Sequence, residues 1–161
     1  MKLLPVETAI ADIAAEAIVV GMHADQLFGP ILTELDGAMG GVLTQLADSE
    51  EITGKTAETT RIFWPTGLET SQLVVVGLGD RKKLDRDAVF RAAGSAAKCL
   101  ATKERQQVAF YFDNDWDDGL TEAAICGAVV ACEGQALYRA EKKLHAFAEL
   151  LWYGASASTL T

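Results

Sequence analysis

Gln72-Leu-Val-Val-Val-Gly-Leu-Gly-Asp80 is the stretch on which the fold turns. Residues 73–78 are apolar at every position, and a strand carries such a run only when helices cover both faces of its sheet. The run stops at a Gly77-Leu78-Gly79 turn, the place where open α/β sheets commonly receive a ligand. A basic cluster, Arg81-Lys82-Lys83, follows. Asp85 then caps an alanine-rich helix. The stretch therefore poses one question, whether the turn cradles a nucleotide or only closes a strand.

Upstream, residues 2–8 form a short strand candidate that Pro5 confines to an edge. Residues 16–22 form a second, more buried strand. Leu32, Leu35, Met39, Leu43 and Leu46 fall at the spacing of one buried helical face, which predicts a single helix over residues 30–47. Residues 48–59 are polar and read as a loop. Residues 60–64, rich in β-formers and stopped by Pro65, read as a strand.

Downstream, Val89, Ala93, Ala96 and Leu100 make the inner stripe of the helix that Asp85 caps. Residues 108–112, with Phe110, Tyr111 and Phe112 in succession, predict a strand. The last helix is expected over residues 120–141. Ala123, Ala124, Gly127, Ala128, Ala131 and Gly134 give it a face of very small residues. Glycine inside a helix costs about 1 kcal/mol against alanine, so its repeated use predicts a close approach of this helix to the sheet. Residues 149–153 form a final strand. The order β-β-α-β-β-α-β-α-β specifies a three-layer α/β/α domain around a mixed, mostly parallel sheet of about six strands.

The bulk properties agree. With 161 residues, half of them hydrophobic and 23% charged, the chain suits one globular domain rather than a disordered segment. No apolar stretch reaches the ~20 residues that span a bilayer, and the N-terminus lacks the basic and apolar regions of a signal peptide. Cys99, Cys126 and Cys132 are an odd number in alanine-rich helical contexts. They imply buried thiols in a reducing cytoplasm, not a disulfide framework. The net charge is −9, and such a surface repels phosphate backbones and anionic lipid, so nucleic acid and membranes are disfavoured partners.

Each chemical motif falls short of a site. A dinucleotide fingerprint counted from Gly77 needs a third glycine where Lys82 stands, and the following helix starts late. The turn thus reads as a tight strand exit. Asp113-Asn114-Asp115-Trp116-Asp117-Asp118 opens like a calcium loop. Its sixth position, where the loop needs glycine, is Asp118, and its twelfth, where it needs glutamate, is Ala124. The segment reads instead as an acidic turn that places favourable charge at the start of the last helix. Cys126 and Cys132 point about 120° apart on a helix, too far to share a metal. His23 and His145 are isolated and read as structural or solvated. Neither a Gly-x-Ser-x-Gly nucleophile elbow nor a His-Glu-x-x-His helix occurs. The expectation is no catalytic, cofactor-binding or metal-ligating residue in this chain.

Four segments, taken together, carry a resemblance. They are Leu73-Val-Val-Val-Gly-Leu-Gly-Asp80 with Leu84, the helix Val89-Phe-Arg-Ala-Ala-Gly-Ser-Ala-Ala-Lys98, Gly54-Lys55-Thr56-Ala57-Glu58-Thr59, and Glu133-Gly-Gln-Ala-Leu-Tyr-Arg139. In order and spacing, over about residues 17–139, the chain resembles the N-terminal domain of the leucyl (cytosol) aminopeptidase family. The resemblance implies a macro-domain-like fold that is itself non-catalytic. It places a two-metal (zinc or manganese) peptidase site in a separate C-terminal domain with an Asn-Thr-Asp-Ala-Glu-Gly-Arg motif. That motif is missing here, where the only asparagine is Asn114. Residues 1–154 are accordingly expected to be the domain and residues 155–161 a linker stub toward a missing catalytic half.

The same resemblance implies a cytoplasmic homohexamer that releases N-terminal amino acids from peptides, with this domain helping assembly or substrate access. Some bacterial members bind DNA, a role the −9 charge argues against. The alternative is a stand-alone macro-like module for ADP-ribose or a related nucleotide, since Gly40-Gly41-Val42 resembles the glycine loop of macro domains. Against it, the asparagine-rich segment before that loop is absent, and the glycine pair lies inside the periodicity of the first helix. A third reading, an interaction domain presenting the small-residue face of its last helix, competes with the use of that face against its own sheet.

Overall fold

The structure, a computed structural model, describes residues 1–25, 28–112, 115–133 and 144–160. Strand β4 (Gln72–Gly79) is buried at every residue, as its unbroken apolar run requires. It lies between β2 (Ala17–His23), which runs parallel to it, and β3 (Thr59–Phe63), which runs antiparallel. On its far side β2 pairs with β5 (Gln107–Tyr111), β5 with β6 (Glu149–Tyr153), and β6 with β1 (Lys2–Val6), all parallel. The sheet order is β1-β6-β5-β2-β4-β3. Pro5 sits in an edge strand, where a missing N–H is tolerated.

Alternate residues of each strand feed two separate cores. Val74, Val76 and Leu78 of β4, with Val108 and Phe110 of β5, face α3 (Arg86–Leu100) and α4 (Asp118–Glu133). Leu73 and Val75, with Ile18 and Val20 of β2, face α1 (Pro30–Ala38) and α2 (Val42–Asp48). The sheet is therefore covered on both sides, and the architecture is α/β/α with one antiparallel strand. Cross-strand aromatics fasten β5 to β6 on both faces. Phe110 stacks on Trp152 at 4.9 Å on one side, and Tyr111 on Tyr153 at 4.7 Å on the other.

Two expectations change. The single helix expected over residues 30–47 is two helices, α1 and α2. Gly40 and Gly41 both adopt the left-handed region, at φ 71° and 87°. The Gly41 N–H closes back on the Asp36 carbonyl at 2.9 Å and the Gly40 N–H on Gly37 at 3.3 Å, the bond pattern that ends helices at glycine. Leu32, Leu35, Met39 and Leu43 stay buried across the break, which is why apolar spacing alone conceals it.

The small-residue face of α4 serves a different neighbour from the one expected. Ala124, Ile125, Ala128 and Cys132 do face the sheet core. The closest approach, however, is to α3: a Cβ on Gly127 would strike the Phe90 carbonyl, and one on Gly94 would come within 3.2 Å of the Gly127 carbonyl. The two parallel helices need glycine because their backbones touch. Gly134, the continuation of this helix to residue 141 and the marker stretch over residues 134–139 lie outside the described residues.

After β6, Ala155 and Leu160 rest against the α3–α4 core, and Thr159 Oγ1 donates to Asp118 Oδ1 at 3.2 Å. Among the described residues no helix is long and apolar enough to cross a membrane.

Candidate functional site

The carboxyl ends of β2, β4 and β5 meet where an open α/β sheet usually takes its ligand. Here the Gly-x-Gly is not the strand exit that the sequence suggests. β4 continues through Gly79, and the chain turns only at Asp80. The Asp80 carboxylate caps a single 3₁₀ turn over Arg81–Lys83 by accepting from the Lys82 N–H at 3.1 Å.

The glycines are needed because residues 54–58 lie directly over the strand end. The Gly77 N–H donates to the Glu58 carbonyl at 2.8 Å, the Ala57 N–H to the Gly77 carbonyl at 2.9 Å, and the Gly79 N–H to the Gly54 carbonyl at 2.8 Å. A Cβ on Gly77 would collide with the Lys55 carbonyl. The amides that a phosphate would seek are thus already satisfied by this chain's own backbone.

The polar side chains around this edge are bound within the chain, mostly to backbone groups. His23 is buried, and its Nδ1 lies 3.3 Å from the Gly79 carbonyl, which also accepts from the Ala24 N–H at 3.0 Å. The Arg81 backbone N–H donates to Asp25 Oδ1 at 3.1 Å and holds that carboxyl below the usual carboxylate range. The Arg81 guanidinium reaches the Asp115 carboxylate at 3.4 Å. Asp25, Asp80, Arg81 and Asp115 join three loops in this way. They form no pair of a nucleophile with its base.

The other candidates are equally occupied. At the Gly40-Gly41 break, Asp36 accepts from the Thr44 N–H at 3.1 Å and from the Thr44 hydroxyl at 2.6 Å. Its carboxylate therefore fills the start of α2, where an anion would otherwise sit. In the acidic turn, Asp117 accepts from the Leu120 N–H at 2.8 Å and starts α4, while Asp113 and Asn114 lie outside the described residues. His145 Nδ1 lies 3.7 Å from Glu104 Oε1 in the segment before β6.

The cysteines are free thiols, but only two are shielded. Cys132 is buried and Cys99 half-buried, whereas Cys126 is exposed on the outer face of α4, contrary to the expectation of three buried thiols. Burial pushes the Cys132 thiol up to about 12, with the Glu133 charge adding to it. Burial also raises Cys99. Neither is a thiolate nucleophile near neutral pH. Among the described residues no cluster of three or more His, Cys, Asp or Glu could hold a metal.

Sequence reasoning missed the cover formed by residues 54–58. Its signal was present as Gly54, Gly77 and Gly79, but pairing two glycine-bearing segments so far apart requires the fold.

A sequence profile described as the cytosol aminopeptidase family, N-terminal domain, matches residues 19–143. The chain belongs to the cytosol aminopeptidase family. Among relatives, a probable cytosol aminopeptidase of a Geobacter species is 34% identical over 137 residues, covering 84% of this chain and 28% of the relative. One from Rhodopirellula baltica is 28% identical over 130 residues, covering 81% and 25%. One from Stenotrophomonas maltophilia is 37% identical over 87 residues, covering 54% and 18%. The chain thus spans only 18–28% of the length of these cytosol aminopeptidases.

Among solved structures, a tomato leucine aminopeptidase mutant superposes with a TM-score of 0.78 at 17% identity, over 97% of this chain and 33% of that one. A Trypanosoma brucei macrodomain in complex with ADP superposes with a TM-score of 0.66 at 10% identity, over 99% and 66%. Both share the fold of this N-terminal aminopeptidase domain, which is macro-domain-like.

Proposed function

We propose that this domain, residues 1–154 with residues 155–161 as a linker, is the non-catalytic part of a metal-dependent leucyl aminopeptidase. In this reading the whole protein releases N-terminal amino acids from peptides in the cytoplasm. Its two divalent metals, zinc or manganese, are held by a C-terminal domain, and its copies assemble as a homohexamer. The domain contributes to assembly or substrate access and supplies no catalytic residue.

The observation that carries this reading is the closed edge of the sheet. The strand-end edge, where an open α/β sheet usually presents a ligand, is bonded over by residues 54–58, and the described carboxylates, histidines and thiols do not gather into a metal site. The described residues offer no cluster for the two metals, which supports placing the peptide hydrolysis outside them. The test is hydrolysis of a leucine amide substrate by the 161-residue chain with added manganese or zinc. The expected result is no turnover above the metal-only blank, and metal-dependent turnover abolished by chelation would overturn the reading.

The second reading, a module for ADP-ribose or a related nucleotide, draws support from the likeness to the Trypanosoma brucei macrodomain. The Asp36 carboxylate at the start of α2 and the cover over Gly77 and Gly79 oppose it. Titration calorimetry with ADP-ribose separates the two. Silence is expected, and sub-millimolar binding would establish the module.

A further inference from the structure

The same helix contact that needs Gly127 and is tight at Gly94 leaves an open groove of about 410 Å³ between α3 and α4. Its walls carry Phe90 and Val130, 38% and 52% exposed, across a floor of glycine. Large apolar side chains left in water beside a concavity mark contact surfaces. The α3 side of the groove is basic. Arg91 and Lys98 are both exposed and line it. Arg91 has its Nε on the Asp87 carboxylate at 2.9 Å, in an exposed pair that leaves its terminal amino groups facing water. Seven residues, two helical turns, separate the two cations by about 10.5 Å on one face. In a chain of net charge −9 this strip is a local exception.

We propose that the groove docks an amphipathic helix from a partner protein. The partner's apolar ridge would seat over Gly94 and Gly127 between Phe90 and Val130. Two carboxylates, seven residues apart, would face Arg91 and Lys98. Charge complementarity selects this occupant: a second copy brings −9 against −9. Nucleic acid would meet the cations but leave the apolar walls unmatched. The proposal concerns a different face from the closed sheet edge and does not rest on the aminopeptidase reading.

The test uses the 161-residue chain and a capped, alanine-based helical peptide of about 18 residues, long enough to be helical in water. The peptide carries two glutamates seven positions apart and leucines at the third and fourth positions between them. Fluorescence anisotropy should show saturable, sub-millimolar binding that weakens about 5–10-fold when lysines replace the glutamates, as two exposed charge contacts allow. Val130→Glu should abolish it, and Arg91→Glu combined with Lys98→Glu should reverse the preference toward the lysine peptide. No saturable binding, equal binding of both peptides, or binding indifferent to Val130→Glu would overturn the proposal. A dimer by sedimentation that Val130→Glu dissociates would overturn it in favour of a second copy. The charge-swap variant alters only surface residues and carries the test if Val130→Glu does not fold.

Discussion

Gly77→Ala adds one methyl group at the point where residues 54–58 cross the end of β4. The backbone of Gly77 lies outside the left-handed region, so alanine suffers no conformational penalty there. The cost is steric, because the new Cβ would overlap the Lys55 carbonyl. Backbone cannot rotate away as a side chain can, so the segment must lift. Lifting it strains or breaks the bonds from Gly77 to Glu58, from Ala57 to Gly77 and from Gly79 to Gly54, at 2.8, 2.9 and 2.8 Å. At about 0.5–1.5 kcal/mol net for each bond, the loss comes to roughly 2–4 kcal/mol. In a chain of this length 1 kcal/mol moves Tm by about 2–4 °C, so calorimetry should register a fall of roughly 5–15 °C.

Amide exchange should quicken at Ala57 and Gly79 more than at the centre of β4, because the opening is local. Gly37→Ala is the matched control. Its Cβ would meet nothing within 4 Å inside α1, so it should raise stability by about 0.5–1 kcal/mol. A Gly77→Ala protein that melts within about 2 °C of the parent, with unchanged exchange at Ala57 and Gly79, would refute the reasoning.

Two further outcomes follow from the hydrogen bonds and buried groups. Asp36→Ala removes the carboxylate that accepts from both the amide and the hydroxyl of Thr44. It should cost about 1 kcal/mol and lower Tm by about 2–4 °C in a thermal melt; an unchanged Tm would mean that this cap is idle. Alkaline pH should also destabilise the fold. Cys132 and Tyr111 are both pushed up to about 12, mainly by burial, from ordinary values of 9.0 and 10.0. Their neutral forms are thus favoured in the folded state, and the associated stability is intact below pH 9 and lost as pH rises toward 12. Unfolding free energies from urea titrations at pH 8 and pH 11 should differ by on the order of 1–2 kcal/mol after allowance for solvent screening. A flat profile between these two values would contradict the burial of both groups.

The sequence by itself determined the layer architecture. The apolar run of β4, the alternation of strand and helix signals, and Pro5 at one end were enough for a six-stranded sheet covered on both sides. Such patterns report burial, and burial sets element type and layer. The same logic located α3 at its Asp85 cap, whose carboxylate accepts from the Ala88 N–H at 2.8 Å.

Tertiary structure decided what sequence patterns do not encode. Apolar spacing carries across Gly40 and Gly41 and so hides the break between α1 and α2, because periodicity is blind to backbone handedness. Glycine in α4 announces a close approach but not its partner, and α3 rather than the sheet fills that place. The role of Gly77 and Gly79 depended on residues 54–58, remote in sequence, whose carbonyls reach the strand end only after folding. A Gly-x-Gly offers a phosphate site only while its amides are free, and here the chain's own backbone takes them.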